Sequence, residues 1–222
     1  ASRSASRDTS AGPAVLPPIT ECADVPDNTY KDGMTADRAL EEMRRLKEEG
    51  KPFLLAVGFS KPHLPFVAPK KYWDLYNEDD MPLAANPEFP RDMPEVAFSN
   101  HPNMFSYSYG SYEPFLPGQR MPDKTARHLI HAYRAATSFT DAQVGRLLDE
   151  LDGLGLAEAT IVVLWGDHGW QLGDSGFWSK HTNFEAATRS PLIVRAPGRT
   201  QPGTRSAALV ETVDIFPTLL DL

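Results

Sequence analysis

An acidic and an imidazole side chain stand next to each other directly after a short apolar run. Residues 160–165 are rich in β-branched residues, and Gly166, Asp167, His168 and Gly169 follow them. A strand would fix the position of the Asp167 carboxylate, and the glycines would let the backbone turn sharply. A carboxylate favours Ca²⁺ or Mg²⁺ and an imidazole favours Zn²⁺ or Mn²⁺, so the pair predicts two ligands of a divalent metal. The alternative is a plain turn in which Asp167 caps the next segment.

A second imidazole follows another apolar run. His63 comes shortly after the run 52–59, and Pro62 and Pro65 hold the backbone around it extended. A protonated His63 would donate a hydrogen bond to an anion bound at the end of that run. The alternative is an ordinary surface histidine.

The third candidate is a lysine surrounded by aromatic residues. Lys180 lies twelve residues beyond His168, between Trp178 and the pair His181 and Phe184. Partial shielding from water would strengthen the attraction of Lys180 for an oxyanion. The alternative is a solvated surface charge.

The elements that must position these side chains alternate between strands and long helices, which favours an α/β fold with a mostly parallel central sheet flanked by helices. In such sheets ligands bind at the carboxyl ends of the strands, where His63 and Asp167 are expected. Helices are predicted from Thr35 to Gly50 and over 124–151. Buried strands are predicted over 52–59, 160–165 and 191–195, and 208–219 is predicted to be a strand feeding a helix.

Two segments interrupt this pattern. Residues 1–20 are rich in Ser, Ala, Pro and Arg and are predicted to be a flexible arm or loop, which leaves 21–222 as the folded part. Prolines recur among aromatic residues over 81–122, which predicts a long loop inserted in the domain. Loops of that length are uncommon and are often functional, although an ordered surface excursion is an equal alternative.

Composition narrows the class of partner. The 22 Lys and Arg residues against 30 Asp and Glu give a net charge of −8, which disfavours nucleic acid and requires a local cationic pocket for any anionic substrate. No apolar stretch approaches the roughly 20 residues of a membrane-spanning helix. Cys22 is the single cysteine, so the chain cannot form an internal disulfide.

Five short motifs stand in order along the chain. They occupy residues 56–66, 141–148, 166–170, 178–180 and 213–219. In this order and spacing they resemble the sulfatases, members of the alkaline phosphatase superfamily. The likeness is strongest to the iduronate-2-sulfatase branch, because His168 follows Asp167 where many other sulfatases have Asn.

The resemblance implies an alkaline-phosphatase-like fold and hydrolysis of a sulfate ester by a formylglycine made from Cys or Ser. It implies a bound Ca²⁺, with Mg²⁺, Mn²⁺ or Zn²⁺ as alternatives, for which Asp167 and His168 would be two ligands. His63 and Lys180 would be the catalytic residues, in contact with the sulfate or the leaving oxygen, and one of them would act as an acid.

The resemblance also suggests a substrate class and a location. A sulfated carbohydrate or another small sulfate ester is expected, with Trp170 and His181 as weaker candidates for contacts with the sugar. Sulfatases of this kind are usually exported or lysosomal, although residues 1–20 lack the apolar core of a signal peptide. The motifs do not identify an oligomeric state.

Several family features have no counterpart in the sequence. The nucleophile element Cys-x-Pro-Ser-Arg is absent, and Cys22, followed by Ala23 and Asp24, does not match it. The paired aspartates that complete the metal shell are also missing. We therefore expect 21–222 to be a partial catalytic domain, truncated at both ends and inactive alone. Two alternatives stay open, a phosphomonoester or phosphonate hydrolase of the same superfamily and a non-catalytic binding domain with the same fold.

Overall fold

The computed structural model describes residues 15–98, 103–116 and 119–222 of the chain. Strands and helices alternate along it, with short 3-10 turns between them. In chain order the elements are β1 (Thr20–Ala23), α1 (Lys31–Glu49), β2 (Phe66–Pro69), α2 (Lys70–Trp73), α3 (Asp123–Gly153), β3 (Val162–Trp165), α4 (Glu185–Thr188), β4 (Leu192–Arg195) and α5 (Ile215–Asp221).

The two long helices pack on each other, and both were predicted. α3 exceeds its predicted range by one or two residues at each end. α1 ends at Gly50, whose φ of 66° lies in the left-handed region that favours glycine. It begins four residues before the predicted start at Thr35, because its first turn is held by buried contacts of Asp32 that no local pattern reveals.

The strands form two short ladders. β1 pairs in parallel with β2, with Thr20 opposite Phe66, and β3 pairs antiparallel with β4, with Trp165 opposite Leu192. The strands predicted over 160–165 and 191–195 are therefore present, but they are not buried as predicted, since Trp165 is 49% and Ile193 59% exposed. The mixture of strands and helices is confirmed. We predicted a single, mostly parallel sheet. Among the described residues the strands form one parallel pair and one separate antiparallel pair.

Two strand predictions are wrong. Residues 52–59 run without a ladder partner in the described part of the chain, and Leu54 is 87% exposed, so the apolar run is neither a regular strand nor buried on both faces. Residues 208–211 also lack strand structure, although the helix predicted to follow them is present as α5. A strand requires a neighbour to satisfy its backbone, and an apolar run alone does not supply one.

The core lies between α3 and the β1–β2 ladder. Phe66 from β2 and Leu129 and Phe139 from α3 are fully buried. Burying a side chain of this size contributes about 1.5–3 kcal/mol. The rings of Tyr30 and Tyr72 lie against Phe139, with centroids 6.1 and 5.4 Å away, so the start of α1 and the short helix α2 are fixed to the same core.

The predicted arm and the predicted loop both reach this core. Residues 1–14 lie outside the described part, but Ile19 is buried and its backbone N–H donates to the Ser108 carbonyl at 2.9 Å. The described residues of 81–122 form 3-10 turns and irregular structure, and they bury Met104, Tyr109 and Phe115. Part of the loop is therefore an ordered excursion anchored by apolar side chains. None of the helices in the described ranges has the length and apolar character of a membrane-spanning segment.

Candidate functional site

Asp167 and His168 lie directly after β3, as predicted. Oδ2 of Asp167 and Nε2 of His168 are 3.6 Å apart, and the Asp167 side chain is 84% exposed. Nδ1 of His168 lies 2.7 Å from the Gly169 carbonyl oxygen. A carbonyl can only accept, so Nδ1 is the donor in this contact and Nε2 is the ring nitrogen that could bind a metal. Metal-binding histidines usually have this arrangement, in which the second ring nitrogen donates to a backbone carbonyl or carboxylate.

The turn that carries this pair is fixed against α4 by a close backbone approach. The N–H of Gly169 donates to the Ala187 carbonyl at 2.7 Å. A Cβ at position 169 would stand 2.1 Å from the Ala186 carbonyl oxygen, so only glycine fits there. The Ser190 hydroxyl donates to the Gly166 carbonyl at 2.7 Å and holds the other side of the turn.

His63 shows the same local arrangement as His168. Its side chain is exposed, and its Nδ1 lies 2.7 Å from the Leu64 carbonyl oxygen. Nδ1 therefore donates to that carbonyl, and Nε2 is the ring nitrogen left for another partner. The backbone N–H of His63 donates to the Ser60 carbonyl at 2.9 Å, which closes a turn around the imidazole.

Two residues that sequence reasoning missed hold this turn in place. The buried Asp32 carboxylate accepts from the Ser60 hydroxyl at 2.8 Å and from the Lys61 backbone N–H at 2.7 Å. The Lys61 ammonium donates to the carbonyls of His63 at 2.7 Å and Pro65 at 2.8 Å. Burial lowers the pKa of Lys61, an effect opposed by the charge of Asp32. Asp32 precedes the predicted helix start at Thr35, so no sequence pattern singled it out.

Lys180 lies half-buried in a segment that pairs with the residues following Trp170. The Gln171 N–H donates to the Ser179 carbonyl at 2.9 Å. The Gln171 side chain is fully buried and accepts from the Thr182 hydroxyl at 2.7 Å. Gln171 therefore holds the chain on both sides of Lys180, through Ser179 and Thr182, and it is a third positioning residue that the sequence did not indicate.

Trp170 connects the two halves of the site. It is buried, and its ring stands edge-on to Phe66 with centroids 6.0 Å apart. Phe66 comes three residues after His63, so this contact joins the strand that follows the His63 turn to the segment that follows Asp167. The Nε1 of Trp170 is buried without a hydrogen-bond partner within the described ranges. Trp170 packs the core here, and its contact with a substrate stays a prediction.

His181 is exposed and lines an open cavity of about 540 Å³. The opposite wall comes from residues 90–97 of the proline-rich loop. The contact of His181 with a sugar stays a prediction.

Across the described part of the chain no group of three or more His, Cys, Asp and Glu side chains is arranged to hold a metal, so Asp167 and His168 would be only part of a ligand set.

Comparison with known proteins identifies the family. The family model for sulfatases matches residues 4–222. The chain belongs to the sulfatase family. This confirms the resemblance drawn from the five motifs.

The relatives include sulfatases of the predicted branch. The chain is 37% identical over 224 residues to iduronate 2-sulfatase of Homo sapiens, covering 90% of this chain and 41% of the human protein. It is 30% identical over 205 residues to choline-sulfatase of Rhizobium meliloti (strain 1021), covering 90% of this chain and 38% of that protein. This sulfatase-family chain therefore spans less than half the length of these relatives.

A solved structure confirms the fold class. The phosphonate monoester hydrolase from Silicibacter pomeroyi is similar with a TM-score of 0.72 and 28% identity, over 89% of this chain and 38% of that one. The predicted α/β fold of the sulfatase and alkaline phosphatase type is therefore confirmed. The similarity also extends to an enzyme whose name indicates phosphonate monoesters.

Proposed function

We propose that the whole protein is a sulfuric ester hydrolase that cleaves sulfate esters of carbohydrates with the help of a divalent metal. The observation that carries this proposal is the pairing of Asp167 with His168 at the end of β3, where a carboxylate oxygen and the imidazole Nε2 lie 3.6 Å apart. The sulfatase family match supports the reaction type, and the likeness to iduronate 2-sulfatase supports a sugar sulfate. An exported location is part of the proposal, by analogy with sulfatases of this kind.

The donor set of this pair fits a metal ligand pair. Asp167 would contribute a carboxylate oxygen and His168 its Nε2, and the bond from Nδ1 to the Gly169 carbonyl would fix the ring in the ligating tautomer. We propose Ca²⁺ as the ion, with the remaining ligands supplied by other parts of the whole protein. Such an ion polarises a bound oxygen and stabilises developing negative charge.

His63 and Lys180 are proposed to act on the sulfate group. The Nε2 of His63 is exposed and, when protonated, would donate a proton to the leaving oxygen. The Lys180 ammonium would neutralise charge on the sulfate oxygens. The formylglycine nucleophile is proposed to lie outside residues 1–222, since the family's Cys-x-Pro-Ser-Arg element does not occur in them.

Turnover of 4-nitrophenyl sulfate by the whole protein with Ca²⁺ tests the proposal. We expect His63→Ala and Lys180→Ala to lower kcat by about 10²- to 10³-fold, the range for losing a proton donor or an oxyanion contact. Asp174→Asn is the matched control, since Asp174 lies in the loop after β3 and, within the described part of the chain, its hydrogen bonds to that loop run through its backbone carbonyl. No turnover by the wild type would refute the proposal.

A phosphonate monoester hydrolase is the second candidate, favoured by the TM-score of 0.72 to that enzyme. Both substrates are tetrahedral monoanions, and they differ in the central atom and in the carbon substituent that the phosphonate carries in place of one oxygen. The ratio of kcat/KM for 4-nitrophenyl sulfate to that for 4-nitrophenyl phenylphosphonate separates them. A ratio above one supports the sulfatase, and a ratio well below one supports the phosphonate hydrolase.

A further inference from the structure

The turn after Ser60 places one ammonium group on the backbone around the proposed proton donor. The Lys61 ammonium donates to the His63 carbonyl at 2.7 Å and to the Pro65 carbonyl at 2.8 Å. Between these two carbonyls lies that of Leu64, which accepts from Nδ1 of His63 at 2.7 Å. Three successive carbonyls are therefore bound inside one turn, two by the lysine and the middle one by the imidazole.

Both acceptors of the Lys61 ammonium are neutral backbone carbonyls. A hydrogen bond from a charged donor is roughly twice as strong as one between neutral groups, so Lys61 holds these carbonyls more firmly than a neutral side chain would. The Lys61 side chain is half-buried, and burial lowers its pKa because the charged form loses solvation. A half-buried ammonium needs polar partners nearby, and the two carbonyls supply them.

The backbone of Lys61 is itself anchored to both long helices. Its N–H donates to the buried Asp32 carboxylate of α1 at 2.7 Å. Its carbonyl accepts from the Thr140 hydroxyl of α3 at 3.1 Å. The Leu64 side chain is buried in the core, which fixes the other end of the turn. Lys61 thus connects a fixed point on the helix pair to the carbonyls beside the imidazole.

The bond to the Leu64 carbonyl decides which ring nitrogen of His63 is free. A neutral imidazole carries one proton, and the nitrogen that donates to a carbonyl must hold it. The neutral ring therefore has its proton on Nδ1, and Nε2 keeps the lone pair with which it takes up a proton and passes it on. Rotation of the Leu64 carbonyl would release Nδ1 and let the ring turn or change tautomer. The carbonyls on either side of it are those that Lys61 holds.

We propose that Lys61 is a positioning residue for His63, which fixes the Nδ1–H tautomer and the direction of Nε2 by holding the carbonyls on both sides of Leu64. The inference rests on the proposed function, in which His63 donates a proton to the leaving oxygen. It adds a residue that acts on the sulfate ester through the imidazole alone.

Nitrogen NMR of the chain labelled with ¹⁵N-histidine tests the proposal. At about pH 8.5, well above the ordinary histidine pKa of about 6.5, the spectrum of a neutral ring reports its tautomer. His63→Gln assigns the His63 signals, which we expect to show Nδ1–H in the wild type. The share of the Nε2–H tautomer should rise about twofold to tenfold in Lys61→Met and Lys61→Gln, the range for losing one net hydrogen bond. Lys61→Arg keeps a charged donor and should restore most of the wild-type spectrum.

Two controls separate positioning from unfolding. Lys51→Met removes an exposed lysine earlier in the chain and should leave the His63 tautomer unchanged. His131 is the internal reference, because its Nε2 donates to the Trp73 carbonyl at 2.9 Å in the core and should stay protonated in every variant. A wild-type His63 tautomer in both Lys61→Met and Lys61→Gln would overturn the proposal. A change at His63 that comes with loss of the His131 signature would also overturn it, since Lys61 would then only stabilise the fold.

Turnover of 4-nitrophenyl sulfate by the whole protein gives the second readout. A misdirected proton donor should lower kcat of Lys61→Met about 10- to 100-fold and leave KM nearly unchanged, because only the transition state requires the aligned Nε2. Lys61→Arg should recover most of kcat. A raised KM with an unchanged kcat would contradict the positioning role. No turnover by the wild type would refute the sulfatase function, while the NMR result would still decide whether Lys61 positions His63.

Discussion

At the residue scale, Gly169 decides where the proposed metal ligands stand. Its missing side chain lets the turn after β3 approach α4 so closely that a Cβ would meet the Ala186 carbonyl oxygen at 2.1 Å. That carbonyl is backbone and cannot rotate away as a side chain could. The position of Asp167 and His168 therefore depends on this contact, although neither residue takes part in it.

We expect Gly169→Ala to displace this turn. The overpacked backbone should lower the free energy of unfolding by about 1–3 kcal/mol, measured by urea denaturation. Gly58→Ala is the matched control, because nothing lies within 4 Å of its Cβ position and its φ is not positive. It should change stability by no more than about 0.5 kcal/mol. Equal effects of the two substitutions would contradict the role given to Gly169.

A second residue-scale prediction concerns His128, which lies in a buried polar network away from the site. Its Nδ1 lies 2.8 Å from a Glu78 carboxylate oxygen, and its Nε2 lies 2.9 Å from the Thr20 hydroxyl. The Tyr112 ring stacks on it, with centroids 3.9 Å apart. Burial lowers the pKa of His128 below its model-peptide range, and the Glu78 charge opposes that shift only in part.

The sign of the pH effect follows from this lowered pKa. Below about pH 6.5 the unfolded chain takes up a proton at His128 more readily than the folded chain. The contribution of His128 to stability is therefore complete above that pH and is lost as the pH falls towards the lowered folded pKa. Urea denaturation from pH 7.5 to 5 should show a shallower decline for His128→Gln than for the wild type. An unaltered slope in His128→Gln would contradict the assignment.

At the element scale, the predictable parts are those whose signal is local. The apolar spacing along α3 and the β-branched run of β3 lie within the elements themselves, so both were predicted. Residues 52–59 were predicted to form a strand and do not, because a strand depends on a partner that no single segment encodes. The buried Asp32 was missed for the same reason, since its hydrogen-bond partners Ser60 and Lys61 are 28 and 29 residues away. Motifs and sequence position identified the candidate site residues, but they did not identify the residues that hold them in place.

We expect Asp32→Asn to loosen the turn that carries His63. Asp32 accepts from both backbone and side chain of that turn, so the loss should cost about 1–3 kcal/mol. Hydrogen exchange of the Ser60 and Lys61 amides should be faster in Asp32→Asn than in the wild type. Asp37→Asn on the same helix is the control, because the Asp37 carboxylate pairs with Arg146 near the surface. That pair is worth about 1 kcal/mol or less, and faster exchange at Ser60 in Asp37→Asn would refute the specific role of Asp32.

At the scale of the whole molecule, apolar burial is uneven. It centres on α3, where Leu129 and Phe139 are fully enclosed. The β3–β4 ladder that carries the proposed metal ligands has Trp165 49% and Ile193 59% exposed, on opposite faces of the pair. Two-stranded ladders are marginally stable alone, and strands rich in apolar residues on both faces are typical of the interior of a larger sheet.

This asymmetry predicts that the core and the ladder respond differently to truncation. Phe139→Ala should cost about 3–5 kcal/mol, because it opens a cavity among Tyr30, Tyr72 and α3. Ile193→Ala removes a half-exposed side chain and should cost under about 1 kcal/mol in the same denaturation experiment. Native-state hydrogen exchange gives the independent measurement, since amides of α3 should exchange only through global unfolding and those of β3 and β4 through local opening. Protection of β3 equal to that of α3 would mean that the ladder belongs to the same cooperative unit, and the proposed ligand pair would then share the stability of the core.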